Sequence, residues 1–144
     1  MKKEDMGLVY ADIELINAGD LEMVRRNYMD KDEIKRMRLN ILVDSGADIM
    51  AINEGIQEVL QLPFIEKRKI RLANDTIVEY DVVGPVIVKF ENRTASCNAL
   101  LLDNDAEPLL GVIPMEEMDV VINPLKRQLL VNPDHLDGAV LRLK

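Results

Sequence analysis

Apolar residues recur with a period of two in short segments separated by turn clusters, and this pattern constrains the fold more than any other feature of the chain. Residues 7–16 set Val9, Ala11, Ile13 and Leu15 against Tyr10, Asp12 and Glu14, the pattern of a strand with one face in a core. Asn17-Ala18-Gly19-Asp20 follows as an expected turn. Residues 21–35 are charge-rich and read as a short helix or a surface connection. Residues 36–43 form a second strand, and its continuous end Ile41-Leu42-Val43 implies burial on both faces. Residues 53–62 carry Ile56, Val59 and Leu60 at helical spacing, with Asn53 as cap and Pro63 as stop. A hairpin is expected over 69–80 about Ala73-Asn74-Asp75-Thr76, and a strand pair over 82–90 and 95–102 about Glu91-Asn92-Arg93. Pro114 to Met118 opens a short helix, and residues 119–123 and 128–131 are terminal strands. The expected fold is mostly β, a closed and highly curved sheet with one or two short helices.

The chain of 144 residues has room for one domain and one core, assigned to residues 1–132, with a weakly held tail over 133–144. Hydrophobic residues make up 48% and charged residues 31%, the balance of a globular protein. Aromatics are only 3% and Trp is absent, so Val, Ile, Leu and the eight Met must fill the core. The net charge of −8 speaks against nucleic acid or an anionic membrane surface as partner. Cys97 is the single cysteine, which excludes an internal disulfide and a cysteine-based zinc site. The opening residues lack an apolar h-region and no run is long enough to span a bilayer, so the expected compartment is the cytoplasm.

Asp44-Ser45-Gly46-Ala47 is the most informative tetrapeptide. A carboxylate at the end of an apolar strand sits where its charge is costly unless it is used. Ser45 adds a hydroxyl, Gly46 brings a backbone N–H close to the carboxylate, and Ala47 leaves the approach clear. In isolation Asp-Ser-Gly is an ordinary turn. Here the apolar strand precedes it, a hairpin of suitable distance to cover it follows, and Leu109-Leu110-Gly111 lies downstream.

Leu42-Val43-Asp44-Ser45-Gly46-Ala47, then Gly84-Pro85-Val86, then Leu109-Leu110-Gly111-Val112-Ile113-Pro114 resemble the small retropepsin-like aspartic proteases of bacteria and archaea. The resemblance runs from about residue 9 to residue 131. It implies a symmetric homodimer of retropepsin-like lobes, each giving one aspartate to a shared site that hydrolyses peptide bonds. Asp44 matches the catalytic aspartate, and Ser45 the hydroxyl that links the two subunits' loops. Gly46, Ala47 and Asp48 match the residues beside the substrate main chain. Ala73, Asn74, Asp75 and Thr76 correspond to the flap tip, without the glycines of viral members. Leu109, Leu110 and Gly111 match the stretch that crosses behind the active-site loop. The implied substrate is a peptide or unfolded protein, with neither cofactor nor metal. The dimer is expected to pair terminal strands 9–16 and 128–131 across its axis.

Other candidates are weaker. Asp103, Asp105 and Glu107 lack a calcium-loop pattern and read as a solvated loop. His135 lies in the tail beside Pro133 and Asp134 and is given no metal or catalytic role. The alternative reading is a non-catalytic dimeric binding module on the same fold. A more distant one is an assembly protein in which Asp44 only caps a turn.

Overall fold

The computed structural model describes residues 7–143; the opening segment read above as lacking a leader, residues 1–6, lies outside them, as does residue 144. Within the described residues the chain forms β1 (Val9–Asn17), α1 (Ala18–Arg25), β2 (Arg36–Val43), β3 (Met50–Ile52), α2 (Glu54–Leu60), β4 (Phe64–Arg71), β5 (Ile77–Phe90), β6 (Arg93–Leu101), β7 (Leu109–Leu110), α3 (Val112–Met118), β8 (Val120–Asn123) and β9 (Gln128–Val131). The protein is therefore mostly β. Among the described residues no helix is long and apolar enough to cross a membrane.

Seven strands form one sheet in the order β1-β2-β7-β3-β6-β5-β4, and an additional β1–β5 pairing curls it closed. The β1–β2 register explains why the alternation was legible. Val9 faces Val43, Ala11 faces Ile41, Ile13 faces Leu39 and Leu15 faces Met37, so every inward pair is apolar. A slip of one residue would turn that whole set outward. The outer face carries pairs such as Asp12 and Asn40, joined by a 2.9 Å hydrogen bond.

Strand β5 closes the sheet by bending. Its first part pairs with β4 and β6, and residues 86–89 then pair with both β6 and β1. The register shifts between Val83 and Val86, at a cis Gly84-Pro85 bond. Gly84 has φ +149°, and a side chain there would lie 2.6 Å from Asn98 Oδ1, so both backbone and space demand glycine. The sequence reading splits β5 at residue 81, between a hairpin over 69–80 and a strand over 82–90, whereas the strand runs unbroken through that residue. The core is aliphatic, with Leu15, Ile41, Ile52, Leu60, Val86, Val88 and Leu110 buried. Three methionines, Met50, Met115 and Met118, join it.

Four expectations need correction. Asn17-Ala18-Gly19-Asp20 is not a turn: β1 runs straight into α1, because the Asn17 side chain accepts the Asp20 N–H at 3.1 Å and caps the helix. The hairpin arms are longer than 69–80, beginning at Phe64. Charged residues fill both faces of β4, so no alternation marks it. β1 is a free edge only in part, since β2 pairs along its length and β5 along Glu14–Asn17, which leaves its first half without a strand partner on that side among the described residues. Finally, the tail is held to the body. Asp119 Oδ2 accepts from His135 Nδ1 at 2.7 Å and from the Val140 N–H at 3.0 Å, and Asn92 donates to Leu136 O at 2.9 Å. Buried Arg93, 1% exposed, donates to His135 O, while its Nε and Nη1 find no partner among the described residues.

Candidate active site

The site begins where β2 runs out of apolar residues. Leu42 and Val43 pair in parallel with Leu109 and Leu110 of β7, and the Asp44 N–H continues that ladder to Leu110 O at 3.0 Å. On its other side β7 pairs antiparallel with β3, Ala51 opposite Leu109. The chain thus leaves β2, loops over 44–49 and returns as β3, with β7 inserted between the two limbs. Asp44 therefore stands at the tip of a loop whose base is spanned by a strand from far along the chain.

The loop is stiffened from inside and below. Asp44 Oδ1 accepts the Gly46 N–H at 2.9 Å, and Ala47 N–H donates to Asp44 O at 3.2 Å. Below, Ala47 O and Asp48 O accept the N–H groups of Val112 and Ile113 at 2.8 and 2.9 Å. Those are the first N–H groups of α3, which have no partner within their own helix. Gly111 passes so close that a side chain on it would lie 2.4 Å from Ile49 O. Asp44 is half-buried, while Ser45, Gly46 and Asp48 are exposed. Asp44 Oδ2 and the Ser45 hydroxyl have no hydrogen-bond partner among the described residues.

The β4–β5 hairpin projects beside this loop. Its tip is held by Leu72 N–H to Thr76 O at 2.8 Å, Asp75 N–H to Leu72 O at 2.9 Å, and Thr76 N–H to Asn74 Oδ1 at 3.0 Å. Asp75 takes the left-handed φ of 67° that a glycine would otherwise supply. Ala73, Asn74, Asp75 and Thr76 are all exposed. A small apolar cluster of Ala51, Val82 and Leu100 links the two parts. Ile70 and Tyr80 of the hairpin and Ile49 and Leu109 of the loop region pack on it.

The structure brings Asp44, Ser45, Gly46, Ala47 and Asp48 together with Leu109, Leu110 and Gly111. It leaves residues 73–76 without a hydrogen bond to the loop. Sequence reasoning missed the Val112 and Ile113 N–H groups, which act through the backbone; the trace they leave is the glycine just before them. Asp103, Asp105 and Glu107 lie exposed on the surface, and His135 is engaged with Asp119. Among the described residues no three His, Cys, Asp or Glu side chains converge to hold a metal. A cleft of about 660 Å³ between Asp12, Arg38 and Lys89 contains none of the site residues, and size alone does not make it the reactive centre. Compared with known proteins, the chain matches no family model and no curated protein.

Proposed function

We propose that this chain is one half of a homodimeric aspartic endopeptidase of the retropepsin-like kind its motifs resemble. The observation that carries the reading is β7, inserted between β2 and β3 beneath a loop that presents Asp44 and fixes it through Gly46. A bare turn motif needs no such support. One carboxylate is not enough for the reaction, and a two-fold axis brings a second. Two carboxylates at close range cannot both ionise, so they share one proton and titrate as a pair. The ionised member takes a proton from water as it attacks the scissile carbonyl. The protonated member hydrogen-bonds the carbonyl oxygen and then protonates the leaving amine. Gly46 N–H holds the carboxylate orientation, and the hairpin overhangs the bound peptide.

The β8–β9 ribbon is the element suited to the dimer axis. Among the described residues its strands pair only with each other, and it exposes Val121, Leu130 and Leu125, the last 94% exposed. Its inner face is already covered, since Leu129 is buried in the core and Val120, Ile122 and Val131 pack on it, so a second copy would cover the outer face and the unpaired edges.

The test is cleavage of an unfolded protein by wild type and by Asp44→Asn, with sedimentation at micromolar concentration. Wild type cuts as a dimer, whereas Asp44→Asn dimerises and does not cut. In an exchanged equimolar mixture only about a quarter of the dimers carry two aspartates, so activity falls to about a quarter of the all-wild-type value. Cleavage by a monomer, or equal cleavage by Asp44→Asn, refutes the proposal. The second reading, a dimeric binding module without catalysis, draws on the hydrogen-bonded, glycine-free hairpin tip. It requires peptides that bind and stay intact in both proteins.

A further inference from the structure

Asp137-Gly138 is the chain's single Asp-Gly pair, and it lies in the tail between two points of attachment. On one side Leu136 O accepts from Asn92 Nδ2 at 2.9 Å; on the other the Val140 N–H donates to Asp119 Oδ2 at 3.0 Å. Residues 137–139 alone bridge the two. Asp137 is exposed, and among the described residues neither its carboxyl nor the Gly138 N–H makes a hydrogen bond. A side chain on Gly138 would meet nothing within 4 Å, so nothing crowds that position. Comparable aspartates are held. At Asp134-His135 the following nitrogen donates to Asn132 O at 3.0 Å, and at Asp44-Ser45 the carboxylate already accepts the Gly46 N–H.

We propose that Asp137 is a site of spontaneous isoaspartate formation, and that the conversion opens the tail clasp at Asp119. The Gly138 nitrogen bonds to Asp137 Cγ; its proton and the carboxyl hydroxyl leave as one water, and a five-membered succinimide closes. Water then adds back. Breaking the new N–Cγ bond restores aspartate, whereas breaking the original main-chain bond leaves isoaspartate, in which the chain runs through Cβ and Cγ. One water is lost and one regained, with no oxidant, metal or second protein. Glycine at the following position favours closure, because it has no Cβ to oppose the backbone turn that brings its nitrogen to the carboxyl. The product carries one extra main-chain atom between two fixed points. The Leu136 end is anchored again at His135, whose O accepts from buried Arg93 and whose ring pairs with Asp119, so Val140 is the end that yields. Loss of its N–H takes from Asp119 the largest of the influences that hold its carboxyl down. Nothing in this chemistry depends on Asp44.

The full-length protein is incubated below its melting temperature in mildly acidic buffer, which keeps more of the carboxyl protonated, and is then digested with trypsin. In the peptide spanning residues 128–142 a second species of identical mass grows in, and electron-transfer fragmentation places isoaspartate at 137 and not at 134. Gly138→Ala keeps the fold, because the position has open space and no left-handed φ, and slows the conversion about tenfold. Asp137→Glu, which would have to close a six-membered ring, abolishes it. Hydrogen exchange on the aged wild type shows lost protection at Val140, and aged Gly138→Ala retains that protection. Absence of isoaspartate, equal conversion at 134 and 137, or an undiminished rate in Gly138→Ala overturns the site. Isoaspartate at 137 with Val140 still protected overturns the opening of the clasp.

Discussion

Replacing Gly111 with alanine tests whether the strand beneath the Asp44 loop fixes the loop's position. Gly111 has φ −92° and ψ −175°, a conformation open to any residue, so its requirement is spatial. An added methyl would lie 2.4 Å from Ile49 O and 2.9 Å from Ala47 O, both backbone atoms that no rotamer change can move aside. Ordinary contact begins at 3.4 Å, so the loop must retreat by about 1 Å. A retreat of that size takes the Val112 N–H to Ala47 O bond, now 2.8 Å, out of hydrogen-bonding range. Overpacking costs about 1–3 kcal/mol, and a lost backbone hydrogen bond adds about 1 kcal/mol.

About 3 kcal/mol in a domain of this size lowers the melting temperature by about 10 °C. A carboxylate displaced by about 1 Å loses about 100-fold in kcat/KM. Thermal melts, hydrogen exchange at the Val112 and Ile113 amides, and peptide kinetics read the three effects separately. Gly138→Ala is the control, because a side chain there meets nothing within 4 Å. A Gly111→Ala protein that melts within about 1 °C of wild type, with both amides equally protected, refutes the argument.

Further outcomes follow from the polar groups. Asp119 is held down to about 2 by the Val140 N–H, the Asn132 amide and His135, against an ordinary 3.8. Its folded value is depressed, so the tail clasp is fully present above about pH 4 and is lost as pH falls toward 2; hydrogen exchange at Val140 should accelerate in that window, and Asp119→Asn should remove the pH step. Burial, with Glu117 nearby, pushes the Cys97 thiol up to about 12 from 9.0. The unfolded chain ionises first, so this thiol makes stability decline from about pH 9 to about 12, and Cys97→Ala should make that decline shallower in urea melts. Replacing Asn74-Asp75 with Gly-Gly removes the Asn74 acceptor at the hairpin tip, and should change kcat and KM together with a melting temperature close to wild type. Unaltered kinetics in a cleaving enzyme would place the cover elsewhere.

The strands that were legible in the sequence are those with one face in the core and the other in solvent. β1 alternates residue by residue, and β2 matches its expected bounds of 36–43. α2 was legible through Asn53, whose side chain accepts the Ile56 N–H at 3.0 Å, and through Pro63 after it. Asn17 carried the same capping chemistry but stood beside Gly19 and Asp20, whose local preference for turns masked it. β4 escaped because it stands away from the body and carries charge on both faces. The tail escaped because it has no periodicity at all. Its attachment depends on Asp119, Asn92 and Arg93 reaching main-chain groups and a histidine distant in sequence, and a single polar side chain gives no pattern to read.

The candidate site was legible for a different reason, and only in part. Asp44 drew notice because an ionisable group ends an apolar run. Most of what positions it is main chain meeting main chain: Asp44 N–H to Leu110 O, Val112 N–H to Ala47 O, Ile113 N–H to Asp48 O. Such contacts can be made by almost any residue type, so they leave no mark on composition or periodicity. Their one mark is where two backbones come too close for a Cβ, and there a side chain has to be missing. That makes Gly111 the more specific residue of the two, although it takes no part in chemistry. An aspartate at a strand end fits many turns. One whose loop presses on a glycine just past an inserted strand fits few, and that pairing can be tested whether or not any peptide is cut.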